Sequence, residues 1–512
     1  MRKYFFATLW IIVCGLALLY TGPQAASGQE TVPGKVPLYL PLIRSNDQIP
    51  QSEVNALIAL YHSTDGDNWY KKDGWLVSEL PCGWYGVRCA GGHVVSLELP
   101  GNNLKGELPP EIVDFVYLET IDMSGRYLAP NELKGLSIKI GNLINLQSIK
   151  LKYIQLTELP EGFGNLTNLH VLDLSNTQLA RLPSEFGNLT NLRTLDLSSS
   201  QLTELPNEFG NLTNLQTLDL RSNPLTRLPI EFGNLTSLQT LDLSSPLTEL
   251  PAEFGNLTSL QSLTLNTEQL TVLPPEFGNL SNLQTLYLGI QLADLPAEFG
   301  NLTNLQTLHL SDSQLTKLPA EFGNLISLRS MLLENAQLKV LPSEFGNLTN
   351  LQTLQLSGNQ LAELPAEFGN LANLQSLELR NNQLKGLPAG FGKITSLQTL
   401  YLNGNQLAVV PDEFGNLTNL QYLSLSDNQL AELPATFGNL TNLDVLFLYN
   451  NLLARLPQSM LRLQPQYFEI GENRLLLLND PDLVAWLDSY DPGWRATQRA
   501  PYKHFVPYIF RP

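Results

Sequence analysis

The chain has 512 residues, of which only 15% are charged, and its formal net charge at pH 7 is −18. Nucleic acids and anionic membrane surfaces attract proteins through clusters of lysine and arginine, so this acidic balance argues against both as partners. The chain is also longer than a typical single globular domain, and most of it follows a repeated pattern.

Residues 1–28 have the composition of a secretory signal. Arg2 and Lys3 precede an uncharged apolar stretch at residues 4–20, and small residues near position 26 provide a cleavage point. We expect cleavage and a secreted or cell-surface location. The alternative is an uncleaved membrane anchor, because an apolar run of about 17 residues is at the lower limit for spanning a bilayer. Residues 29–51 follow as a proline-rich, extended leader.

Residues 52–93 are predicted to form an N-terminal cap. Ser52 is the expected N-cap of a helix, since the apolar residues that follow it have helical spacing. A tryptophan-rich stretch comes next. Cys82 and Cys89 are the two cysteines that remain after the signal, and an even count in an exported chain predicts one disulfide between them.

A 23-residue unit repeats almost without interruption from about Leu169 to Asn451, with the pattern L-x-x-L-x-L-x-x-N-x-L-x-x-L-P-x-x-F-G-N-L-x-N. Self-similarity with this period predicts a solenoid, in which each coil contacts only its neighbours. The unit shortens to 22 residues in two coils, and less regular coils precede Leu169. We expect the array to cover residues 94–475, as about 16–17 coils.

Three sets of repeated residues are expected to hold the coils together. Leucines such as Leu172 and Leu174 must point inward, because no single coil can bury them alone. Thirteen phenylalanines, from Phe163 to Phe437, occupy one register and are expected to stack as a spine on the convex side. The asparagine at the ninth position is expected to bind backbone groups of neighbouring coils. It is replaced at Thr177, Ser200, Glu268, Ser313 and Ala336. The asparagine ladder is therefore predicted to be weakest between about residues 177 and 340.

Residues 476–512 are predicted to be a C-terminal cap and tail. Asp480, which precedes a proline, is expected to start a short helix that runs through Asp488. Trp486 and Trp494 are expected to shield the last coil from solvent.

Several motifs resemble the leucine-rich-repeat family. The string CGWYGVRC at 82–89, and DGDNW…GWL before it, resemble the N-terminal cap of plant-type leucine-rich-repeat ectodomains. The first coil carries the L-x-G-x-L-P signature of the same type. The resemblance covers roughly residues 52–495. It implies an α/β fold, a right-handed solenoid or horseshoe with a parallel β-sheet on its concave face and loops and short helical turns on its convex side.

The concave strand position between the two inward leucines varies more than any other, and we expect ligands to bind there. Aspartates at its start are followed by aromatic and polar residues, which suit contact with a protein, a peptide or a glycan. The alternative for the aspartates is a default residue of the repeat. The candidate ligand-binding residues are Asp173, Asp196, Asp219, Asp242, Tyr287, His309, Gln355, Glu378, Tyr401 and Phe447.

The predicted function is an exported, non-catalytic recognition module that binds a protein or peptide on the concave face, with no cofactor and no metal. The sequence has no nucleophile elbow, phosphate-binding loop, zinc-protease motif or dinucleotide fingerprint, so an enzyme is not expected. Two alternatives stay open. One is a structural or adhesive spacer at the cell surface. The other is an inhibitor of a secreted enzyme, similar to the polygalacturonase-inhibiting members of the plant-type family, which only the cap and first coil favour.

Overall fold

The computed structural model describes residues 48–128, 131–310, 313–475 and 478–499. The predicted signal at 1–28, residues 29–47 of the leader and the tail after Arg499 lie outside the described residues. Within the described ranges, no helix is long and apolar enough to cross a membrane.

The N-terminal cap begins with helix α1, Gln51–Ser63. The prediction of Ser52 as its N-cap was wrong. The helix starts directly after Pro50, whose carbonyl accepts hydrogen bonds from the backbone N–H groups of Glu53 and Val54 at 3.0 and 3.1 Å. Proline fixes its own φ, here −56°, and thereby positions that carbonyl without a side-chain cap.

Aromatic side chains fill the core of the cap. Tyr61, Trp69, Trp75 and Trp84 are each at most 5% exposed, and their neighbouring ring centroids lie 4.9–6.0 Å apart. The predicted disulfide is present beside them, with 5.5 Å between the Cα atoms of the two cysteines at 82 and 89. The cap is too short to form a large core of its own. The ring contacts and the disulfide make it rigid instead.

The strands are β1 (Val87–Ala90), β2 (His93–Glu98), β3 (Lys105–Glu107), β4 (Thr120–Asp122), β5 (Glu132–Gly135), β6 (Ser148–Lys150), β7 (Val171–Asp173), β8 (Thr194–Asp196), β9 (Thr217–Asp219), β10 (Thr240–Asp242), β11 (Ser262–Thr267), β12 (Thr285–Ile290), β13 (Thr307–His309), β14 (Ser330–Leu332), β15 (Thr353–Gln355), β16 (Ser376–Glu378), β17 (Thr399–Tyr401), β18 (Tyr422–Ser424), β19 (Val445–Phe447) and β20 (Tyr467–Glu469). All but β3 and β5 belong to one 18-stranded sheet. In that sheet β1 pairs with β2 antiparallel, and every later pair is parallel and joins successive coils. Strands β3 and β5 form a separate two-stranded parallel sheet. The predicted α/β solenoid with its parallel sheet is thus confirmed.

The register of the sheet repeats from coil to coil. Leu172 pairs with Leu195, and Leu195 pairs with Leu218. Leu172 and Leu174 are fully buried, as predicted. Strands β11 and β12 have six residues where most others have three, and their pairing continues to the Thr267–Ile290 pair. The chain thus stays extended in these two coils where the regular coils turn.

The phenylalanine spine lies on the opposite side of each coil. All thirteen rings are fully buried. Neighbouring rings are nearly parallel, with centroids 6.1–6.5 Å apart. Adjacent strands of a sheet lie only about 4.8 Å apart. The coils are therefore spaced more widely at the spine than at the sheet, which places the sheet on the concave face.

Asparagines bind the turns after the strands to one another where they are present. Asn382 donates to the Leu356 carbonyl at 2.9 Å and accepts from the Leu361 N–H at 3.1 Å. Where asparagine is replaced, smaller groups make fewer bonds. Thr177 donates to the Leu174 carbonyl at 2.9 Å, and its hydroxyl lies 3.0 Å from that of Ser200.

The last coil is covered by helix α2, Pro481–Tyr490. Asp480 caps it as predicted and accepts from the N–H groups of Asp482 and Leu483. The helix extends two residues beyond its predicted end. Trp486 donates to the Leu463 carbonyl at 3.1 Å, and Trp494 is 2% exposed, so both close the apolar end of the array.

Candidate functional site: the concave face

The ten candidate residues lie in one row across the concave face, which we call the concave row. Successive members face each other in the pairing of adjacent strands, from Asp173–Asp196 at one end to Ser424–Phe447 at the other. Thr264, Leu332 and Ser424 occupy the intervening places. One ligand can therefore contact side chains that are far apart in the sequence.

The first four members form an acidic ladder: Asp173, Asp196, Asp219 and Asp242. Each carboxylate accepts a hydrogen bond of 2.9–3.1 Å from the backbone N–H two residues further along the chain. This bond fixes the turn after the strand. It gives aspartate a structural role in the repeat, whether or not a ligand binds.

Asp219 lies in the middle of this ladder and has unusual protonation behaviour. Burial raises the pKa of its carboxyl to about 6, and the neighbouring charges of Asp196 and Asp242 act in the same direction. The backbone N–H and the guanidinium of Arg221, whose Nε lies 3.1 Å from the carboxylate, oppose this shift. The ladder therefore carries partly compensated negative charge at neutral pH.

Tyr287 and His309 form an aromatic pair near the middle of the row. Their ring centroids lie 4.5 Å apart in an edge-to-face arrangement. The Tyr287 side chain is 38% exposed. Burial lowers the pKa of the His309 imidazole, so this ring is uncharged at physiological pH.

The C-terminal part of the concave face carries a larger group, which we call the aromatic cluster: Arg380, Tyr401, Tyr422 and Phe447. The Arg380 guanidinium lies 3.7 Å from the centroid of the Tyr401 ring. The rings of Tyr401 and Tyr422 are 4.5 Å apart, and those of Tyr422 and Phe447 are 5.9 Å apart. Burial is the main cause that raises the pKa of the Tyr422 hydroxyl to about 12.

Two predicted residues support the aromatic cluster from one side. Glu378 pairs with Arg380 at 3.1 Å, and Gln355 donates to Glu378 at 3.3 Å. The cluster is therefore connected to the preceding coils and held in one arrangement by ionic, hydrogen-bonding and ring contacts.

Sequence reasoning missed Arg380 and Tyr422. Both lie in registers beside the concave row that most coils fill with serine, threonine or asparagine. The signal was the exception itself: a tyrosine at 422 where β8 to β17 all begin with serine or threonine. Its contact with Tyr401 depends on the pairing of β17 with β18.

The described part of the chain contains no group of three or more histidine, cysteine, aspartate or glutamate side chains placed to hold a metal ion. The concave face instead offers an acidic end and an aromatic end on one continuous sheet. A stacked array of this kind with a varied inner row is the architecture of a recognition solenoid.

Comparison with known families agrees with this architecture. The family model described as "Leucine-rich repeat region" matches residues 93–195, 184–291, 276–355 and 319–408, and "Leucine rich repeat" matches residues 395–453. These matches extend over most of the chain. The protein belongs to the leucine-rich-repeat family.

Three known proteins are similar to this chain over different parts of its length. A leucine-rich-repeat protein of Leptospira interrogans is 32% identical, with a TM-score of 0.61, over 79% of this chain and 95% of that one. The plant peptide hormone receptor RGFR1, solved in complex with RGF2, is 31% identical, with a TM-score of 0.62, over 77% of this chain and 68% of that one. A rice protein named "Probable inactive leucine-rich repeat receptor kinase XIAO" is 36% identical over 77 residues, which are 14% of this chain and 7% of the rice protein. The chain thus resembles plant-type ectodomains over most of its length, but spans only a small part of the rice relative.

Proposed function

We propose that this protein is an exported, non-catalytic recognition module that binds a protein or peptide on its concave face. The observation that carries the proposal is the aromatic cluster. Tyrosine and arginine are enriched among the residues that dominate binding energy at protein interfaces, and tyrosine brings a large contact area with few rotatable bonds. Here such residues stand together on an open sheet.

The contacts within the cluster favour binding because they hold it in place beforehand. Arg380 is fixed between Glu378 and the Tyr401 ring, at 3.1 and 3.7 Å. Side chains that are ordered before binding lose less conformational entropy when a ligand arrives. Within the protein, the buried Nε of this guanidinium has no hydrogen-bond partner.

The acidic ladder favours one orientation of the ligand along the concave row. Its four carboxylates lie on the same row as the aromatic cluster, toward the N-terminal end of the sheet. Complementary charge steers association and fixes the orientation of a partner. We therefore propose a ligand with cationic side chains toward one end and apolar or aromatic anchors toward the other.

The receptor ectodomain that this chain resembles was solved with a peptide hormone, which supports a peptide or protein as the class of ligand. The disulfide between residues 82 and 89 supports export, since disulfides persist in oxidising compartments. A cell-surface spacer and an inhibitor of a secreted enzyme are the two other outcomes that the following experiment can return.

A photo-crosslinking amino acid at position 422 tests the proposal, with the same residue at Ile230 as a control. Ile230 is 59% exposed and lies on the spine side of its coil. In the surroundings of the producing cell, position 422 is expected to capture a discrete protein or peptide that position 230 does not. Equal capture at both positions, or capture at neither, would support the spacer instead. A captured enzyme whose activity falls on binding would identify the inhibitor.

The captured ligand then allows a quantitative test. Tyr401→Ala should weaken its binding at least tenfold, which corresponds to about 1.4 kcal/mol. Tyr70→Ala is the matched control, because Tyr70 is a 66% exposed aromatic residue in the N-terminal cap. Titration calorimetry measures both. An affinity that Tyr401→Ala leaves unchanged contradicts binding at the aromatic cluster.

A further inference from the structure

A groove lies at the N-terminal edge of the sheet, far from the aromatic cluster, and we call it the cap groove. It has a volume of about 820 Å³, within the range of about 300–1,000 Å³ that is typical of small-molecule sites. The turn between β1 and β2 forms one wall. The residues that precede β4, β6 and β7 form the floor. The cap groove therefore spans the first four parallel strands.

His93 is held at this groove by a buried carboxylate. Its Nδ1 lies 2.7 Å from Glu53 Oε1, while Glu53 Oε2 accepts the Val94 N–H at 2.7 Å. Glu53 is only 1% exposed, so both of its oxygens are used within the protein. The other ring nitrogen of His93, Nε2, is left available to a ligand on a side chain that is 30% exposed.

The floor of the cap groove presents hydrogen-bond acceptors. Asn145 and Asn168 donate their amide N–H groups to the carbonyls of Val116 and Ile144, at 2.7 and 2.9 Å. Each bond uses one of the two amide N–H groups, so both side chains are fixed and each keeps an oxygen acceptor and one N–H donor. Glu119, an exposed carboxylate on the same floor, adds two more acceptor oxygens.

Among the groove residues, one fully buried side-chain atom lacks a hydrogen-bond partner. Nδ1 of His170 is buried and makes no hydrogen bond within the protein. A buried polar nitrogen without a partner is unfavourable, and a bound hydroxyl group that reached it would supply the missing hydrogen bond.

An aromatic ring completes the site. Tyr117 is 51% exposed, and its ring centroid lies 4.1 Å from that of His93. The contact with the anchored imidazole positions the tyrosine ring, and the residue stays half exposed. An exposed, fixed aromatic face beside planar polar groups can pack against the C–H surface of a sugar ring while its neighbours bind the hydroxyls.

We propose that the cap groove binds a neutral, hydroxyl-rich oligosaccharide, independently of ligands on the aromatic cluster. The floor presents both acceptors and amide donors, which match groups that donate and accept at once. Hydroxyl groups do this without bringing charge. The Glu119 carboxylate would repel an anionic ligand. The groove also lacks the large apolar pocket that anchors peptide side chains at interfaces.

The probes are the neutral trisaccharides cellotriose, chitotriose, xylotriose, mannotriose and galactotriose, with trigalacturonate and a neutral serine-rich heptapeptide for comparison. Saturation-transfer NMR and titration calorimetry on the mature chain measure binding. We expect at least one neutral trisaccharide to bind. Tyr117→Ala and Glu119→Ala should each weaken it at least fivefold, whereas the cap control Tyr70→Ala should leave it unchanged.

Three results would overturn the proposal: no binding of any neutral trisaccharide, binding that survives both groove substitutions, or tighter binding of trigalacturonate or the peptide. Because both groove residues are exposed, circular dichroism of the two variants should match that of the parent chain. Loss of sugar binding leaves the concave-face proposal intact, since position 422 lies in β18, at the far end of the sheet.

Discussion

At the scale of single residues, the stacking of similar coils changes the chemistry of side chains that would be ordinary elsewhere. Asp219 has a like-charged neighbour in both adjacent strands, because the register repeats. Tyr422 likewise contacts the ring of Tyr401, a tyrosine in the preceding strand. In each case the effect arises from a residue one coil away in the sequence, which pairing of strands brings beside it.

The raised pKa of Asp219 predicts a specific dependence of stability on pH. The folded state holds the proton up to about pH 6, whereas an unfolded aspartate releases it near its ordinary value of 3.8. The folded state thus binds more protons between these values, so the free energy of unfolding should fall as pH rises from about 4 to 6. Each pKa unit corresponds to about 1.4 kcal/mol, and partial exposure makes about 2 kcal/mol an upper value.

Asp219→Asn tests this prediction. The amide oxygen can still accept the Arg221 N–H, and no proton is released on unfolding. The variant should therefore lose this component of the pH dependence and be more stable than the parent at pH 7. Urea denaturation at pH 4, 5, 6 and 7 measures the difference. Parallel curves for parent and variant across that range would refute the assignment.

At the scale of elements, two ladders run along the coils on either side of the leucine core. The spine buries one phenylalanine per coil in a short 3₁₀ turn, such as Ser184–Asn188. The asparagine ladder links the turns after the strands and is complete from Asn359 to Asn451. The spine is continuous, whereas the asparagine ladder is not.

Removal of one spine ring should be costly. Phe232 is fully buried and stacks on rings at 6.2 Å on both sides. Phe232→Ala removes these contacts and leaves a cavity, with an expected cost of about 3–5 kcal/mol. Ile230→Ala, two residues away and exposed, should change stability by less than about 0.5 kcal/mol. Guanidinium denaturation measures the free energy of unfolding of both variants. Equal losses would contradict a stabilising role for the spine.

The gaps in the asparagine ladder predict uneven local stability. Ser313 Oγ is buried without a partner, whereas Asn405 donates to the Leu379 and Leu402 carbonyls and accepts from Leu384. Backbone amides of the turns between about residues 245 and 340 should therefore exchange with deuterium faster than those between 359 and 451. Hydrogen-exchange mass spectrometry measures this. Uniform protection along the array would show that the spine alone sets local stability.

At the scale of the whole molecule, the fold followed directly from the 23-residue period, because each coil needs its neighbours to bury its leucines. The disulfide and the Asp480 cap could also be predicted from the sequence, since each depends on residues that are close together in it. The start of α1 was not, because a backbone carbonyl of Pro50 replaced the side-chain cap that Ser52 suggested. The cap groove could not be predicted from sequence patterns, because only three-dimensional packing brings Glu53, His93 and His170 together.

The repeated register predicts that a whole coil can be removed. Deletion of residues 347–369 joins Gly346 to Asn370 and recreates the same junction, so spine and strand pairing should continue. Deletion of residues 347–358 removes half a coil and should unfold that part of the array. Circular dichroism and thermal melting distinguish them. If the first deletion were as damaging as the second, coils would not be interchangeable units.

The unequal spacing of the two ladders also limits the shape of any partner. Rings 6.2 Å apart outside and strands about 4.8 Å apart inside bend the array continuously toward its sheet. A long straight rod, such as an extended α-helix, would bridge two distant rims and leave the middle untouched. A rounded body, or a short flexible chain that follows the arc, meets every coil beneath it.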